Sequence, residues 1–116
     1  MKPIWLASAA LGVFLGSTSG LEAQTPLMLE AKIPLGEVKG RIDHMAADIG
    51  RRRLFVAELG NDSVGVVDLD QRKVIRVISE LKGPQAIAHD PSTDTVFIAN
   101  GGDGTCLLYT SDAADE

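Results

Sequence analysis

An all-β fold of repeated four-stranded antiparallel sheets is what this sequence predicts, and three observations carry the prediction. Residues 54–69, LFVAELGNDSVGVVDL, are two runs rich in Val, Leu and Phe joined by Gly60, Asn61, Asp62 and Ser63, types that tolerate the positive φ of tight turns. The segment reads as a β-hairpin. Residues 95–104, TVFIANGGDG, repeat residues 53–62, RLFVAELGND, aligning Phe55 with Phe97, Val56 with Ile98 and Ala57 with Ala99 at a spacing of about 42 residues. Finally, nothing in residues 24–105 carries the 3.6-residue apolar period of a long amphipathic helix.

The two ends of the 116-residue chain differ from its middle. Met1, Lys2 and Pro3 supply a short positive start, residues 4–15 an apolar run, and residues 16–23 a small-residue region, the order of a secretory signal peptide. Cleavage is expected after Ala23, which places the mature protein in a bacterial periplasm or outside the cell. An apolar run of about a dozen residues falls short of the roughly 20 that span a bilayer, so no stable membrane insertion is expected after cleavage. Residues 106–116, CLLYTSDAADE, hold the single Cys and the single Tyr and depart from the repeat where a third strand of the second copy is due. Back-translated, they resemble a transposon-end sequencing adapter. The native reading is therefore expected to stop near Thr105, leaving the chain a truncated N-terminal fragment.

Removing both ends changes the charge. Residues 24–105 hold four Lys and six Arg against eight Asp and four Glu, a net −2, where the full chain carries −5. Such a near-neutral surface gives no case for nucleic acid as a partner, and export argues the same way. Without a Cys in residues 24–105, stability must come from packing rather than disulfides.

In chain order, Leu29, Ala31, Ile33 and Leu35 alternate with Glu30, Lys32 and Pro34, predicting a strand held at an edge by the proline. Residues 36–40 form a polar connection. Residues 42–47 are a short inner strand ended by Asp48-Ile49-Gly50, and the hairpin follows. Residues 70–73 turn the chain into a fourth strand at 74–78, after which Lys82-Gly83-Pro84 restarts the cycle. A short strand at 86–89, a turn at 90–94 and a strand at 95–99 complete the pass. The apolar residues of 54–57 and 64–67 run in succession, so both faces of these strands must be covered. With no helix to do it, sheets must cover sheets, and four-stranded sheets repeating at this spacing and packed face to face describe a β-propeller.

At these strands a family becomes recognisable. RLFVAELGNDSVGVVDLDQRKVIRVI resembles the YVTN-family β-propeller repeat, and VFIANGGDGT is closer still to its core, with Asn100 at the asparagine position that Glu58 occupies in the first copy. KGPQAIAHDPSTD resembles the family's connection, inner strand and turn. The resemblance covers residues 29–105 and implies about one and a half four-stranded blades plus an N-terminal closing strand. Blade one would span residues 41–78, blade two would start near residue 84, and residues 29–35 would close the last blade of a ring needing roughly 300 residues. Two blades alone leave apolar faces open to water, so the isolated chain is expected to aggregate or stay poorly ordered.

Alternating strand direction sorts the connections onto two faces. Residues 36–43, 59–63, 80–85 and 101–104 share the face that, in this family, surrounds the channel mouth. Residues 48–53, 70–73 and 90–94 share the other. On the first face Arg41, Asp43 and His44 are the leading ligand-binding candidates, followed by Glu58, Asn61 and Asp62. Asp43 and His44 suit a metal or a general base, yet they supply two of the three or four ligands a metal needs, and a loop-closing Asp-His hydrogen bond is the simpler reading. Asn61 and Asp62 are read first as turn formers. His89 is read as structural, and Arg51, Arg52, Arg53, Arg72 and Lys73 as a solvated turn face. No catalytic residue is assigned. The function expected is an exported scaffold binding a small molecule or protein at the channel mouth. The alternative is a metal-dependent lactonase-like hydrolase or redox-associated propeller, which would need a divalent metal or other cofactor in the full-length protein.

Overall fold

The computed structural model describes residues 24–110; the signal peptide expected over residues 1–23, and residues 111–116, lie outside them. Among the described residues the fold is all-β, with two antiparallel sheets of four and three strands, consistent with a β-propeller fragment. The first sheet holds β1 (Met45–Asp48), β2 (Arg53–Glu58), β3 (Ser63–Asp68) and β4 (Lys73–Ile78), side by side in chain order. The second holds β5 (Pro84–Asp90), β6 (Thr95–Asn100) and β7 (Cys106–Thr110), again in chain order. No helix among these residues is long and apolar enough to cross a membrane.

The repeat of sequence is also a repeat of register. Phe55 pairs with Val66 and Ala57 with Val64 across β2 and β3, while Phe97 pairs with Leu108 and Ala99 with Cys106 across β6 and β7. Left-handed turn residues recur at the same offset: Arg52 and Asp94 both have φ 51°, and Asp62 at φ 51° is matched by Gly104 at φ 73°. The hairpin turn between β2 and β3 is a short 3-10 turn, Leu59–Asn61, which ends on that left-handed Asp62.

Three expectations are corrected. The second sheet does not stop at Thr105: Cys106–Thr110 forms β7 in the register of β3. Ladder bonds are made by the backbone, so an apolar run beside an open edge can pair whatever its side chains. Those side chains fit less well, since β7 leaves Leu107 and Leu108 37% and 62% exposed whereas residues 63–67 of β3 are all buried. Residues 29–35 form no strand, because a strand exists only with a ladder partner and none of the described strands pairs with them. Their alternation survives in burial, Ala31, Ile33 and Leu35 being half-buried and Lys32 and Pro34 exposed. Arg72 Nη2 reaches Glu30 Oε1 at 3.4 Å, holding this segment beside the first sheet. The inner strand starts at Met45 rather than at residue 42, because the chain bulges ahead of it.

The core lies between the sheets. Phe55, Val64 and Val66 of the first sheet meet Val96 and Ile98 of the second, with Leu81 closing one end and Ala46, Ile78, Ile87 and Tyr109 at the margin. Full burial of such side chains contributes about 1.5–3 kcal/mol each for the larger aliphatic and aromatic ones. Residues paired across a ladder share a face. Val56, Ser63 and Val67, on the opposite face of the first sheet, are also buried, as the unbroken apolar runs predicted.

Candidate functional site

The two sets of connections fall on two faces, as the alternation of strands requires. On one face, Lys39 N–H donates to Asn61 Oδ1, Leu81 N–H to the Asp62 carbonyl, and Gly101 N–H to the Gly83 carbonyl. On the other, Arg52 pairs with Asp70 and Arg53 with Asp94.

Arg41, Asp43 and His44 come together at the head of β1. Asp43 N–H donates to the Ala57 carbonyl at 2.8 Å and Ala57 N–H to the His44 carbonyl at 2.9 Å, so two residues answer one on β2. That is the geometry of a bulge, which turns the His44 N–H away from its own sheet to the Gln85 carbonyl at 3.2 Å. Gln85 is the counterpart of Asp43 in the second copy and occupies the corresponding register shift between Pro84 and Ala86. The bulge is therefore part of the repeat, and it aims side chains at the loop face.

The His44 ring lies with Nδ1 2.8 Å from Asp43 Oδ1 and 3.1 Å from the Gln85 carbonyl oxygen. Both neighbours are acceptors, so Nδ1 carries the proton, and in the neutral ring Nε2 carries the lone pair. The imidazole is 70% exposed, whereas the Asp43 side chain is 21% exposed. Arg41 Nη2 stands 3.5 Å from Asp43 Oδ2 and is otherwise directed at solvent. A carboxylate that orients an imidazole and leaves its second nitrogen outward is a familiar way to prepare a ligand or a general base.

Glu58, Asn61 and Asp62 do not join this trio. Glu58 is 1% exposed, with Oε2 accepting from Ser63 Oγ and Oε1 without a hydrogen-bond partner. It is walled in, not presented to a ligand. Asn61 accepts from Lys39 N–H and donates to Ser63 Oγ, and Asp62 Oδ1 accepts from Gly83 N–H at 2.7 Å. Both are turn and loop ties, the simpler of the two readings. In the second copy Asn100 Nδ2 bonds Thr105 Oγ1 as Glu58 bonds Ser63, so this position braces its own hairpin turn in both copies.

The opposite face holds a cluster that the sequence reading missed. Arg53, expected to be solvated, is 14% exposed in its side chain and bridges Asp48 and Asp94, whose side chains are 1% and 18% exposed. Arg51 and Arg52 remain exposed, as expected. His89 is structural as expected, its side chain 3% exposed, with Nε2 3.0 Å from Asp94 Oδ1 and its ring 5.5 Å from that of Phe55. Arg53 also lies over the Phe55 ring, 5.3 Å from its centre. Burial alone would raise the Asp48 carboxyl. The hydrogen bonds from the Arg53 side chain and the Arg51 N–H, with the His89 and Arg53 charges, outweigh it and hold the group below its ordinary range. Ligand atoms of Asp48, His89 and Asp94 lie within 4.8 Å of one another, but the cation among them is the Arg53 guanidinium. The repeat offset was the signal, since it sets the turn at 90–94 beside that at 48–53.

No family model matches the chain, and no curated protein matches it either.

Proposed function

We propose that this chain is part of an exported β-propeller scaffold, of the type its YVTN-like repeats suggest, which binds a small molecule or a protein loop on the face of Arg41, Asp43 and His44. One observation carries the reading: His44 Nδ1 lies between Asp43 Oδ1 and the Gln85 carbonyl, leaving an exposed Nε2 acceptor in a defined orientation beside the Arg41 guanidinium. Asp43 orients, His44 accepts or donates at Nε2, and Arg41 attracts negative charge. Fixing the ring in advance lowers the conformational cost of binding. The export assignment rests on the signal-peptide pattern of residues 1–23.

The same pair favours one second reading, a hydrolase of the lactonase kind, in which a divalent cation would find a first nitrogen ligand at His44 and the oriented imidazole could take a proton from water. Metal content and ligand binding of the protein, compared with its Asp43→Ala and His44→Ala variants, test both. Loss of ligand binding with metal content unchanged supports the scaffold. Loss of metal along with lactone hydrolysis supports the enzyme. Unchanged binding and metal content in both variants removes the trio from the function.

A further inference from the structure

The geometry points to a second binding site, on the face opposite Arg41, Asp43 and His44, where the shielded His89 ring offers its Nδ1 to a small neutral molecule. The ligand class is an apolar body carrying one hydrogen-bond donor, the hydroxyl of a phenol or an alcohol. Beside the ring is an open cavity of about 440 Å³, within the range of roughly 300–1,000 Å³ in which small-molecule sites fall. Ala47, Ile49, Gly50 and Pro91 give it apolar walls, and Asp48 and His89 are its polar residues. Both repeats supply the lining, residues 47–50 from the first and His89 and Pro91 from the second.

His89 is the point that would orient such a ligand. Its side chain is only 3% exposed, although the residue stands on the cavity wall. Nε2 lies 3.0 Å from Asp94 Oδ1 and 3.8 Å from Asp48 Oδ2, both acceptors, so Nε2 carries the proton and in the neutral ring Nδ1 carries the lone pair. Nδ1 itself has no hydrogen-bond partner among the described residues. Nor is it sealed in, since among those residues the fully buried side-chain polar atom left unpaired is Glu58 Oε1. The acceptor therefore opens on the cavity. The repeat marks the ring as an addition, because one repeat earlier the same position is held by Ala47.

Charge selects a neutral ligand. Arg53 bridges Asp48 and Asp94, and Arg51 Nη1 stands 3.8 Å and 3.7 Å from the same two carboxylates, so two anions already face two cations. A further cation would meet the guanidiniums and an anion the carboxylates. A neutral donor meets neither penalty, and it satisfies an acceptor that otherwise sits in a mostly apolar recess. Burial of its apolar body against residues 47, 49, 50 and 91 adds to the affinity. The bond to Asp94 fixes the ring in advance, which lowers the conformational cost of binding.

The test titrates the whole chain, with its histidine nitrogens isotopically labelled, against phenol and against anisole, the methyl ether that keeps the aromatic ring and lacks the donor. Nitrogen NMR reads the rings in solution or in the solid, so aggregation does not silence it. The two histidines are told apart by tautomer, His44 carrying its proton on Nδ1 and His89 on Nε2. Phenol is expected to shift the His89 Nδ1 signal saturably, with a dissociation constant of about 1 mM, ordinary for so small a ligand. Anisole should bind about tenfold more weakly, the effect of leaving an acceptor unpaired. Exposed His44 is the internal control and should move only at higher phenol concentration. Gly50→Leu is expected to fill the cavity and abolish the His89 shift while His89 keeps its proton on Nε2. There is room for the side chain, since a Cβ at Gly50 meets only Asp48 Oδ1 at 3.7 Å. If that chain does not fold, His89→Phe takes its place, keeping a ring beside Phe55, and should bind phenol and anisole equally by ligand NMR. An unmoved His89 at roughly 20 mM phenol overturns the proposal. So do equal shifts of His44 and His89, a folded Gly50→Leu chain that still responds, or a His89→Phe chain that still prefers phenol.

Discussion

Arg53 Nη2 donates to Asp48 Oδ2 on its own sheet at 2.6 Å and to Asp94 Oδ1 on the other at 2.5 Å, so one guanidinium nitrogen joins the two repeats. Removing it takes the bridging charge from two shielded carboxylates, leaving Asp48 with the Arg51 N–H and Asp94 beside the His89 ring. Arg53→Ala is expected to cost about 3–5 kcal/mol, the range for breaking a buried pair from one side. Arg52→Ala, which breaks the exposed pair with Asp70, should cost less than about 1 kcal/mol. Urea unfolding of dilute protein checks both, and equal costs for the two variants would contradict the bridge.

The same cluster sets a response to acid. The Asp48 carboxyl is held below its ordinary range in the folded chain. A depressed carboxylate contributes stability that is fully present above its unfolded pKa, about 3.9, and is lost as pH falls through the folded value. Unfolding free energy should therefore be unaffected by Asp48 from pH 7 to about 5 and should decline below that. Asp48→Asn should flatten the decline and be less stable than wild type at pH 7. An Asp48→Asn chain with the wild-type acid slope would show that other groups set it.

Glu58 and Gly65 form a second testable pair. A Cβ on Gly65 would stand 2.5 Å from Glu58 Oε1, so the glycine exists to admit the carboxyl. Gly65→Ala is expected to cost about 1–3 kcal/mol through overpacking. Replacing Glu58 by Asn, the residue that the second copy carries there as Asn100, should relieve it, since the shorter side chain withdraws from Gly65. Thermal unfolding of the two single variants and the double decides the matter: additive losses would place the strain elsewhere.

Much of this was legible in the sequence because a repeat offset is a long-range constraint read locally. Aligning Phe55 with Phe97 placed β2 and β6, and alternation of strand direction placed the loops of Arg41, Asp43 and His44 on one face. What failed to show were features that depend on a partner. Residues 29–35 have the pattern of a strand yet no ladder to join, and Cys106–Thr110 has a ladder without the burial that its counterpart β3 enjoys. Arg53 sits among Arg51 and Arg52 in the sequence, and only the packing of one repeat on the next separates it from them. Glu58 looked like a surface ligand because nothing in its neighbourhood announced the space left by Gly65.

Gly60 links the fold to the candidate site. A Cβ there would stand 2.6 Å from Gly40 Cα and 2.9 Å from the Lys39 carbonyl oxygen, both backbone atoms of the connection that leads into Arg41. The second copy repeats the contact, a Cβ on Gly102 standing 2.7 Å from the Lys82 carbonyl oxygen. Backbone cannot rotate away as a side chain can, so Gly60→Ala must push residues 39–41 outward and break the 3.1 Å bond from Gly60 N–H to the Arg41 carbonyl. A loss of about 1–3 kcal/mol is expected from overpacking. Because Asp43 and His44 follow directly, the His44 ring should also lose its fixed proton on Nδ1, seen as a mixture of both imidazole tautomers by nitrogen NMR. Gly50→Ala is the control, its Cβ meeting only Asp48 Oδ1 at an ordinary 3.7 Å, and it should change stability by less than about 1 kcal/mol. A Gly60→Ala chain as stable as Gly50→Ala, with His44 in one tautomer, would show that the connection approaches the turn without bearing on it.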